Sequence, residues 1–266
     1  MSRIIAEIGS NHVGDYERAK ALVIAAARAG ADIVKFQLFD DNLWRANDPR
    51  HNAVKQYHLP YEWISELYRL CDLYNVEFLC TPFSPYAVQF LNVYVKRWKV
   101  ASGDLTFRPL LEYISATKKP VLLSCGFAYP KEIDEALKIL GPRDITLLHC
   151  SGGYPTKPED ADLTKLNILR KFFLPIGLSS HVKQWWADLP AIGLGATVFE
   201  KHIDLADLSG PEAGHSLTPY EFEQFVVAVK DCEAALTPQG RFSDENLYAR
   251  INYRRDPGDW LRPRLT

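Results

Sequence analysis

The sequence lacks long hydrophobic runs and a large excess of charge of either sign. No apolar stretch reaches the roughly 20 residues that a membrane-spanning helix needs. The opening residues, MSRIIAEIGS, contain too short an apolar run for a secretion signal. We therefore expect a cytoplasmic protein that makes no contact with a membrane.

Other common features are also scarce. Lysine and arginine (31) nearly balance aspartate and glutamate (33), so we expect no nucleic-acid partner, and any basic site must be local. The five cysteines form no CxxC pair, which argues against a disulfide framework and a zinc knuckle. The absence of GxGxxG, GxxxxGKS/T and GxSxG motifs leaves nucleotide cofactors and serine hydrolysis without support.

Short apolar, β-branched runs alternate with amphipathic stretches, which is typical of strands and helices around a parallel sheet. The length of 266 residues suits one (β/α)₈ TIM barrel. We predict a single catalytic domain of this fold over residues 1–238 and an irregular C-terminal tail over residues 239–266. The eight predicted strands are Arg3–Ile8, Asp32–Leu38, Glu77–Thr81, Trp98–Ala101, Val121–Ser124, Ile145–Cys150, Pro175–Ser179 and Thr197–His202.

Helix boundaries are marked by capping residues. Asp15 is a predicted N-cap, and Gly30 stands where the same helix would end. Ser84 before Pro85 predicts another helix start, and the capping box from Thr218 to Glu221 predicts the start of the eighth and last helix. Residues 40–60 are rich in Asn, Asp, His and Trp, and we interpret them as either a lid over the substrate or a surface loop.

Nearly every predicted strand ends in a charged residue, a histidine or a hydroxyl. In a (β/α)₈ barrel these ends form the mouth, where such folds perform chemistry. Each residue alone could be a packing or ion-pairing residue, but burying so many polar groups is costly unless they serve one site. The strand-end residues are Glu7, Asn11, His12, Lys35, Gln37, Thr81, Lys99, Ser102, Asp104, Ser124, His149, Tyr154, Ser179, His181, Glu200 and His202.

The residue types indicate the chemistry of this site. Two lysines with nearby hydroxyls suit a phosphate or carboxylate ligand. His181 and His202, on adjacent predicted strands and without cysteine ligands, suit a divalent ion such as manganese, iron, cobalt or zinc. Such an ion would polarise a carbonyl as a Lewis acid.

Eight segments, in this order and spacing, resemble the N-acetylneuraminate (sialic acid) synthases over about the first 235 residues. The resemblance implies that C3 of phosphoenolpyruvate attacks the aldehyde of an open-chain aldose, usually an N-acetylhexosamine, and that phosphate leaves by C–O cleavage after water adds at C2. It also implies a homodimer and a divalent metal, Mn²⁺ above all. The segments are AEIGSNHVGD, GADIVKFQ, FLCTPF, WKVASGD, PVLLSCG, ITLLHCSGGYP, IGLSSH and GATVFEKH.

The same resemblance implies roles for individual residues. His181 and His202 match the metal ligands, and Glu7 matches a glutamate near the reacting carbons. The implied catalytic residues are Glu7, Lys35, Lys99, Asp104 and His181, and the implied substrate contacts are Gln37, Thr81, Phe83, Ser102, Ser124, Tyr154, Ser179 and Glu212.

Four positions depart from the family pattern. Asp104 replaces a glutamate, Glu212 replaces an aspartate, Gly152 replaces a polar residue, and Ser180 replaces the aspartate of an SDH motif. The family continues into a small antifreeze-like domain that offers an arginine to the sugar. We expect the barrel alone here, with Arg241, Arg254 or Arg255 as possible substitutes for that arginine.

Two other functions remain open. The altered positions are also compatible with a non-catalytic barrel that binds sugar or phosphate as a regulatory or assembly subunit. A metal-dependent aldolase that uses pyruvate directly is the third reading, and it would release no phosphate.

Overall fold

The structure is a computed structural model that describes residues 1–39, 43–45, 47–48 and 50–237. The predicted tail, including Arg241, Arg254 and Arg255, lies outside the described residues. The boundary of the catalytic domain therefore stays a prediction. The strands are β1 (Arg3–Glu7), β2 (Ile33–Leu38), β3 (Glu77–Pro82), β4 (Trp98–Val100), β5 (Val121–Ser124), β6 (Ile145–Cys150), β7 (Ile176–Ser180) and β8 (Ala196–His202).

All eight predicted strands are present within one or two residues of their predicted ends. The sheet is parallel, in the order β3-β2-β1-β8-β7-β6-β5-β4. Strand β1 pairs with both β2 and β8, and β3 and β4, at the two ends of the order, lie in contact. This arrangement confirms the (β/α)₈ barrel.

The predicted caps begin their helices. The side chains of Asp15, Ser84 and Thr218 each accept a hydrogen bond from a backbone amide in the first turn, and Gly30 has a φ of +87°, which suits a residue without a side chain. The helices are α1 (Tyr16–Arg28), α2 (Arg50–Tyr57), α3 (Ile64–Leu73), α4 (Pro85–Leu91), α5 (Arg108–Thr117), α6 (Pro130–Leu140), α7 (Leu166–Leu169), α8 (Pro190–Gly193) and α9 (Pro219–Leu236).

The connections after β2, β6 and β7 differ from the expected single helices. Helix α2 occupies part of the segment 40–60 that the sequence analysis interpreted as a lid or a loop. Helices α7 and α8 have only four residues each and are accompanied by 3₁₀ turns. Among the described residues, we find no helix that is both long and apolar enough to cross a membrane.

A small apolar layer fills the lower part of the barrel. Its members come from six different strands and form a cluster of their own, separate from the larger core between the strands and the surrounding helices. Burying each such side chain contributes about 1.5–3 kcal/mol. The members are Ile5, Ile33, Leu79, Leu122, Leu148 and Val198.

Strand β7 meets β8 through an irregular register between Ile176 and Leu178. Gly177 lies at this irregularity, and a Cβ there would approach the carbonyl oxygen of Val198 to 2.5 Å. Only glycine therefore allows the two backbones to come so close. Beyond this point Ser179 is paired with Glu200, so two cavity-lining residues lie side by side.

Candidate active site

A cavity of about 790 Å³ opens at the carboxyl ends of the strands. Every residue to which the family resemblance assigned a catalytic, substrate-binding or metal-binding role lines it, although these roles stay predictions. The lining residues are Glu7, Lys35, Gln37, Leu43, Trp44, Thr81, Phe83, Lys99, Ala101, Ser102, Gly103, Asp104, Ser124, Phe127, Cys150, Gly152, Tyr154, Ser179, His181, Glu200, His202 and Glu212.

The two-residue period of a β-strand determines which side chains line the bottom of the cavity. Side chains at positions i and i+2 point to the same face, so the residue after next from each member of the apolar layer also points into the barrel. A polar layer therefore lies directly above the apolar one. These residues are Glu7, Lys35, Thr81, Ser124, Cys150 and Glu200.

Two buried carboxylates hold two buried lysines. Lys35 Nζ lies 2.5 Å from Glu7 Oε2 and 3.6 Å from Glu200 Oε2. Lys99 Nζ lies 3.4 Å from Glu200 Oε1. Glu200 therefore bridges the two ammonium groups, a position that the sequence analysis did not assign to it.

Neutral side chains fix these carboxylates. Ser179 Oγ donates a 2.7 Å hydrogen bond to Glu200 Oε1, and Gln37 Nε2 donates one of 2.5 Å to Glu7 Oε1. Thr81 Oγ1 accepts a 3.4 Å hydrogen bond from Lys35. The charged groups are thus held in place before any ligand binds.

Burial and pairing act on these groups in opposite directions. Burial lowers the pKa of Lys35, but Glu200 and Glu7 outweigh it and raise that pKa. Burial raises the pKa of Glu200, but Lys35 and Lys99 outweigh it and lower the pKa to about 2. Burial prevails at Glu7, whose pKa is raised, and at Lys99, whose pKa is lowered. Glu7 is therefore the carboxylate in this pair that more readily accepts a proton.

Hydroxyls and one further carboxylate line the side near β4 and β5. Ser102 and Asp104 form the 3₁₀ turn that follows β4, and Ser102 Oγ accepts a 3.0 Å hydrogen bond from the amide of Gly126. Burial raises the pKa of Asp104 to about 6. Ser124 Oγ is buried and has no hydrogen-bond partner among the described residues, so it is free to bind a ligand.

Two imidazoles line the cavity at the ends of β7 and β8, and a third ring lies beside them. The ring centroids of His181 and His202 are 5.2 Å apart. His215, in the loop between β8 and α9, lies 4.5 Å from His202 and 5.5 Å from His181 by the same measure. No strand-end pattern in the sequence points to His215.

Fixed acceptors determine which nitrogen of two rings is free. His202 Nδ1 lies 2.8 Å from Glu212 Oε2, and His181 Nδ1 lies 3.2 Å from the carbonyl oxygen of Ser151. Because a carboxylate and a carbonyl only accept, each Nδ1 must carry the proton. Nε2 of each ring is then left with its lone pair, the form that binds a metal.

Backbone contacts anchor Glu212. Its Oε1 accepts a 3.2 Å hydrogen bond from the backbone amide of Ser10. The backbone amide of Glu212 donates a 3.1 Å hydrogen bond to Asn11 Oδ1. Burial raises the pKa of Glu212, but the contacts with His202 and Ser10 outweigh it and lower that pKa. A charged carboxylate therefore faces the imidazoles.

The donor atoms also lie close enough for an ion. One donor atom from each of His202, Glu212 and His215 lies within 4.8 Å of the others, a grouping that does not include His181. Burial lowers the pKa of His181 far below its usual value and that of His215 to about 3, so both rings are neutral at physiological pH. This set of neutral nitrogen and anionic oxygen donors, without thiolate, fits a borderline divalent ion.

Aromatic side chains form the outer wall. The ring of Tyr154 lies 3.9 Å from that of His181, centroid to centroid, and Tyr154 remains 58% exposed. Phe83 contacts Phe39 edge to face. Phe127 occupies the space beside Gly152, where a Cβ would come within 2.5 Å of its ring.

Three strand-end residues do not line the cavity, so their expected position at the mouth is wrong. His149 Nε2 lies 2.8 Å from the carbonyl oxygen of Ala161. Asn11 Nδ2 donates 2.9 Å hydrogen bonds to Ile203 O and Ser216 Oγ, and His12 packs edge-on against Trp63. These are structural contacts.

Ser180, which departs from the family pattern, belongs to a buried ion pair behind the site. Lys201 Nζ lies 2.6 Å from Asp188 Oδ2, and Ser180 Oγ donates a 2.7 Å hydrogen bond to Asp188 Oδ1. Ser180 precedes His181 and Lys201 precedes His202, so this pair joins the ends of β7 and β8 from the side opposite the cavity.

Comparison with known proteins identifies the family. The model of the NeuB family matches residues 22–240. The chain belongs to the NeuB family. The N,N'-diacetyllegionaminic acid synthase of Legionella pneumophila is 34% identical over 279 residues, covering 95% of this chain and 78% of that protein.

Further similarities are found in sequence and in structure. Human N-acetylneuraminate-9-phosphate synthase is 34% identical over 254 residues, covering 88% of this NeuB-family chain and 70% of that protein. The sialic acid synthetase of Leptospira borgpetersenii, solved with citrate, has a TM-score of 0.87 and 30% identity, covering 96% of this chain and 93% of its own. A truncated 3-deoxy-D-arabino-heptulosonate 7-phosphate synthase from Thermotoga maritima, with a TM-score of 0.69 and 18% identity, shares the fold.

Proposed function

We propose that this NeuB-family chain condenses phosphoenolpyruvate with an open-chain aldose, giving a 3-deoxy-2-keto sugar acid and inorganic phosphate. The observation that carries the proposal is the meeting of Lys35, Lys99 and a group of imidazoles in one cavity. An anion site beside a candidate metal site suits a reaction between a phosphorylated acid and an aldehyde.

Phosphoenolpyruvate would bind at the lysine end of the cavity. Its phosphate and carboxylate suit the ammonium groups of Lys35 and Lys99, with a hydrogen bond from Ser124. Because Glu7 and Glu200 already balance the two lysines, a bound anion adds negative charge that a metal ion or a proton must compensate.

A divalent ion, Mn²⁺ in the first instance, would be held by His202 and His181, with Glu212 orienting His202. When bound, it supplies Lewis-acid polarisation of the aldehyde oxygen. The preset Nδ1–H form of both rings supports this assignment, because it leaves Nε2 available before the ion arrives.

The protein groups would move one proton. The C3–C1 bond forms from the electrons of the enol double bond, and the aldehyde oxygen becomes a hydroxyl by taking a proton. Water then adds at C2 and loses one proton. The C2–O bond to phosphate breaks with its electrons leaving on phosphate, which takes the second proton as the C2 hydroxyl becomes the keto group. Glu7, whose pKa is raised by burial, suits the transfer of this proton between water and the new hydroxyl.

The acceptor would lie against the outer aromatic wall. Phe83, Phe127 and Tyr154 line the cavity, and their aromatic rings suit the apolar face and the acetamido methyl groups of an N-acetylated aldose. Two relatives are synthases of N,N'-diacetyllegionaminic acid and of N-acetylneuraminate 9-phosphate, which supports an acceptor of this class.

Phosphate release tests the proposal. Purified protein is incubated with Mn²⁺, phosphoenolpyruvate and a panel of aldoses that includes N-acetylmannosamine and a 2,4-diacetamido hexose, each component being omitted in turn. We expect phosphate release only in the complete mixture, together with a keto acid whose mass equals that of the aldose plus pyruvic acid. Lys99→Met should abolish it, whereas Lys165→Met, at an exposed lysine, should not.

Two results would overturn the proposal. Binding of Mn²⁺ and phosphoenolpyruvate without phosphate release for any aldose would favour a non-catalytic barrel. Formation of the same keto acid from free pyruvate, without phosphate release, would favour an aldolase.

A further inference from the structure

His215 lies in the loop between β8 and α9, outside the strand-end pattern that predicts the other cavity residues. It is 6% exposed, and its Nε2 is buried without a hydrogen-bond partner among the described residues. An unpaired buried nitrogen costs about 1–3 kcal/mol. This cost calls for a ligand that the imidazole binds.

The surroundings of His215 indicate the kind of ligand. A donor atom of His215 lies within 4.8 Å of donor atoms of both His202 and Glu212. Ligand atoms about 2.1 Å from a common ion lie roughly 3–4 Å from one another. A small side-chain rotation therefore brings the donor atoms of His202 and His215 within bonding distance of one ion.

Glu212 is already committed to other partners. Its Oε2 accepts from His202 and its Oε1 accepts from the amide of Ser10. Its geometry is that of a carboxylate that orients a ligating imidazole. His215, by contrast, has a buried Nε2 without a hydrogen-bond partner among the described residues.

We propose that His215 is a third imidazole ligand of the divalent metal, beside His202 and His181. The proposal rests on the metal site of the proposed function and adds to it a ligand from the loop after β8. A third neutral nitrogen donor raises affinity for ions such as Mn²⁺, Co²⁺ and Zn²⁺ over Mg²⁺, which prefers oxygen ligands.

Tyr154 is the other neighbour that bears on this assignment. Its ring lies 5.5 Å from that of His215 and 3.9 Å from that of His181, so one aromatic side chain covers both imidazoles.

Counting nitrogen ligands tests the proposal without any substrate. Electron spin-echo envelope modulation of the Mn²⁺-loaded wild-type protein should detect three coordinated imidazoles. His215→Gln should leave two and weaken Mn²⁺ binding by at least about tenfold, measured by isothermal titration calorimetry. His149→Gln, at a buried histidine outside the cavity, should keep three imidazoles and the wild-type affinity.

The outcomes separate this inference from the proposed function. Two imidazoles in the wild-type protein, or an unchanged count in His215→Gln, would overturn the third ligand even if phosphate release occurs. Three imidazoles that fall to two in the variant would support it even if no aldose is turned over. The wild-type count does not depend on a variant, so a variant that fails to fold does not prevent the test.

Discussion

Glu212 Oε2 and His202 Nδ1 are joined by a 2.8 Å hydrogen bond that fixes the tautomer of the imidazole. We predict that Glu212→Ala weakens Mn²⁺ binding by about 10- to 100-fold, because such outer partners orient ligands and raise their basicity. Titration calorimetry measures the change. Glu66→Ala, at an exposed glutamate of α3, is the matched control and should bind as the wild type does. An unchanged affinity in Glu212→Ala would show that His202 does not need this partner.

The buried ion pair of Lys201 and Asp188, behind the site, should contribute strongly to the stability of the folded protein. Asp188→Ala leaves the ammonium of Lys201, which is 0% exposed, without a counter-charge, and we expect the free energy of unfolding to fall by about 3–5 kcal/mol. Urea denaturation measures it. Asp134→Ala, which breaks the exposed pair with Lys138 on α6, should have little effect.

A charge-relocation variant refines this prediction. In the family that the sequence resembles, the carboxylate stands at position 180, and here Ser180 bonds to Asp188 instead. Ser180→Asp combined with Asp188→Ser should regain part of the lost stability, because it returns a carboxylate to the same buried ammonium. If the double variant is no more stable than Asp188→Ala, the ion pair is not the source of the loss.

Asp104 should make stability depend on pH. Its pKa rises from 3.8 in the unfolded reference to about 6 in the folded protein, chiefly through burial. The folded state therefore holds the proton more tightly, and the free energy of unfolding falls as pH rises from about 4 through about 6. Because Asp104 is partly accessible to solvent, we expect this fall in the free energy of unfolding to be ~1–2 kcal/mol.

Asp104→Asn tests this prediction because it cannot lose a proton. Urea denaturation should find the variant about 1–2 kcal/mol more stable than the wild type at pH 8 and similar to it near pH 4. Parallel pH profiles for the two proteins would contradict the raised pKa of Asp104.

We predict that the position of the Phe127 ring affects how tightly the aldose binds. Gly152→Asn places a Cβ 2.5 Å from the present position of the Phe127 ring, so the ring must move. We expect the KM for the aldose to rise about 3- to 10-fold, the worth of one aromatic contact, with the KM for phosphoenolpyruvate unchanged. Steady-state kinetics measure both. Phe127→Ala should act in the same direction, whereas Phe173→Ala, at a phenylalanine that is 95% exposed, should change neither.

The sequence predicted the barrel and the lower part of the cavity because both follow from short-range patterns. Apolar runs set the strands, and the period of two places Glu7 and Lys35 above the apolar layer once the strands are known. The parallel register then brings Glu7 beside Lys35, and Ser179 beside Glu200.

The features of the fold and site that the sequence did not predict depend on contacts between residues distant in sequence, which no local pattern encodes. His215 lies in a loop, where no periodicity indicates which way a side chain points, and Phe127 reaches the cavity only because position 152 is glycine. The pairing of Lys201 with Asp188 joins a strand to a 3₁₀ turn. Helix α2 interrupts a segment whose polar composition is typical of a loop.

The apolar layer of Ile5, Ile33, Leu79, Leu122, Leu148 and Val198 closes the lower end of the barrel. In the part of the chain that the structure describes, the cavity therefore lies on one side of this layer. Under the proposed function, we expect the compound that binds the buried lysines to enter before the one that binds the aromatic rings, and to leave after it. Depth in the cavity would then set the order of binding and release.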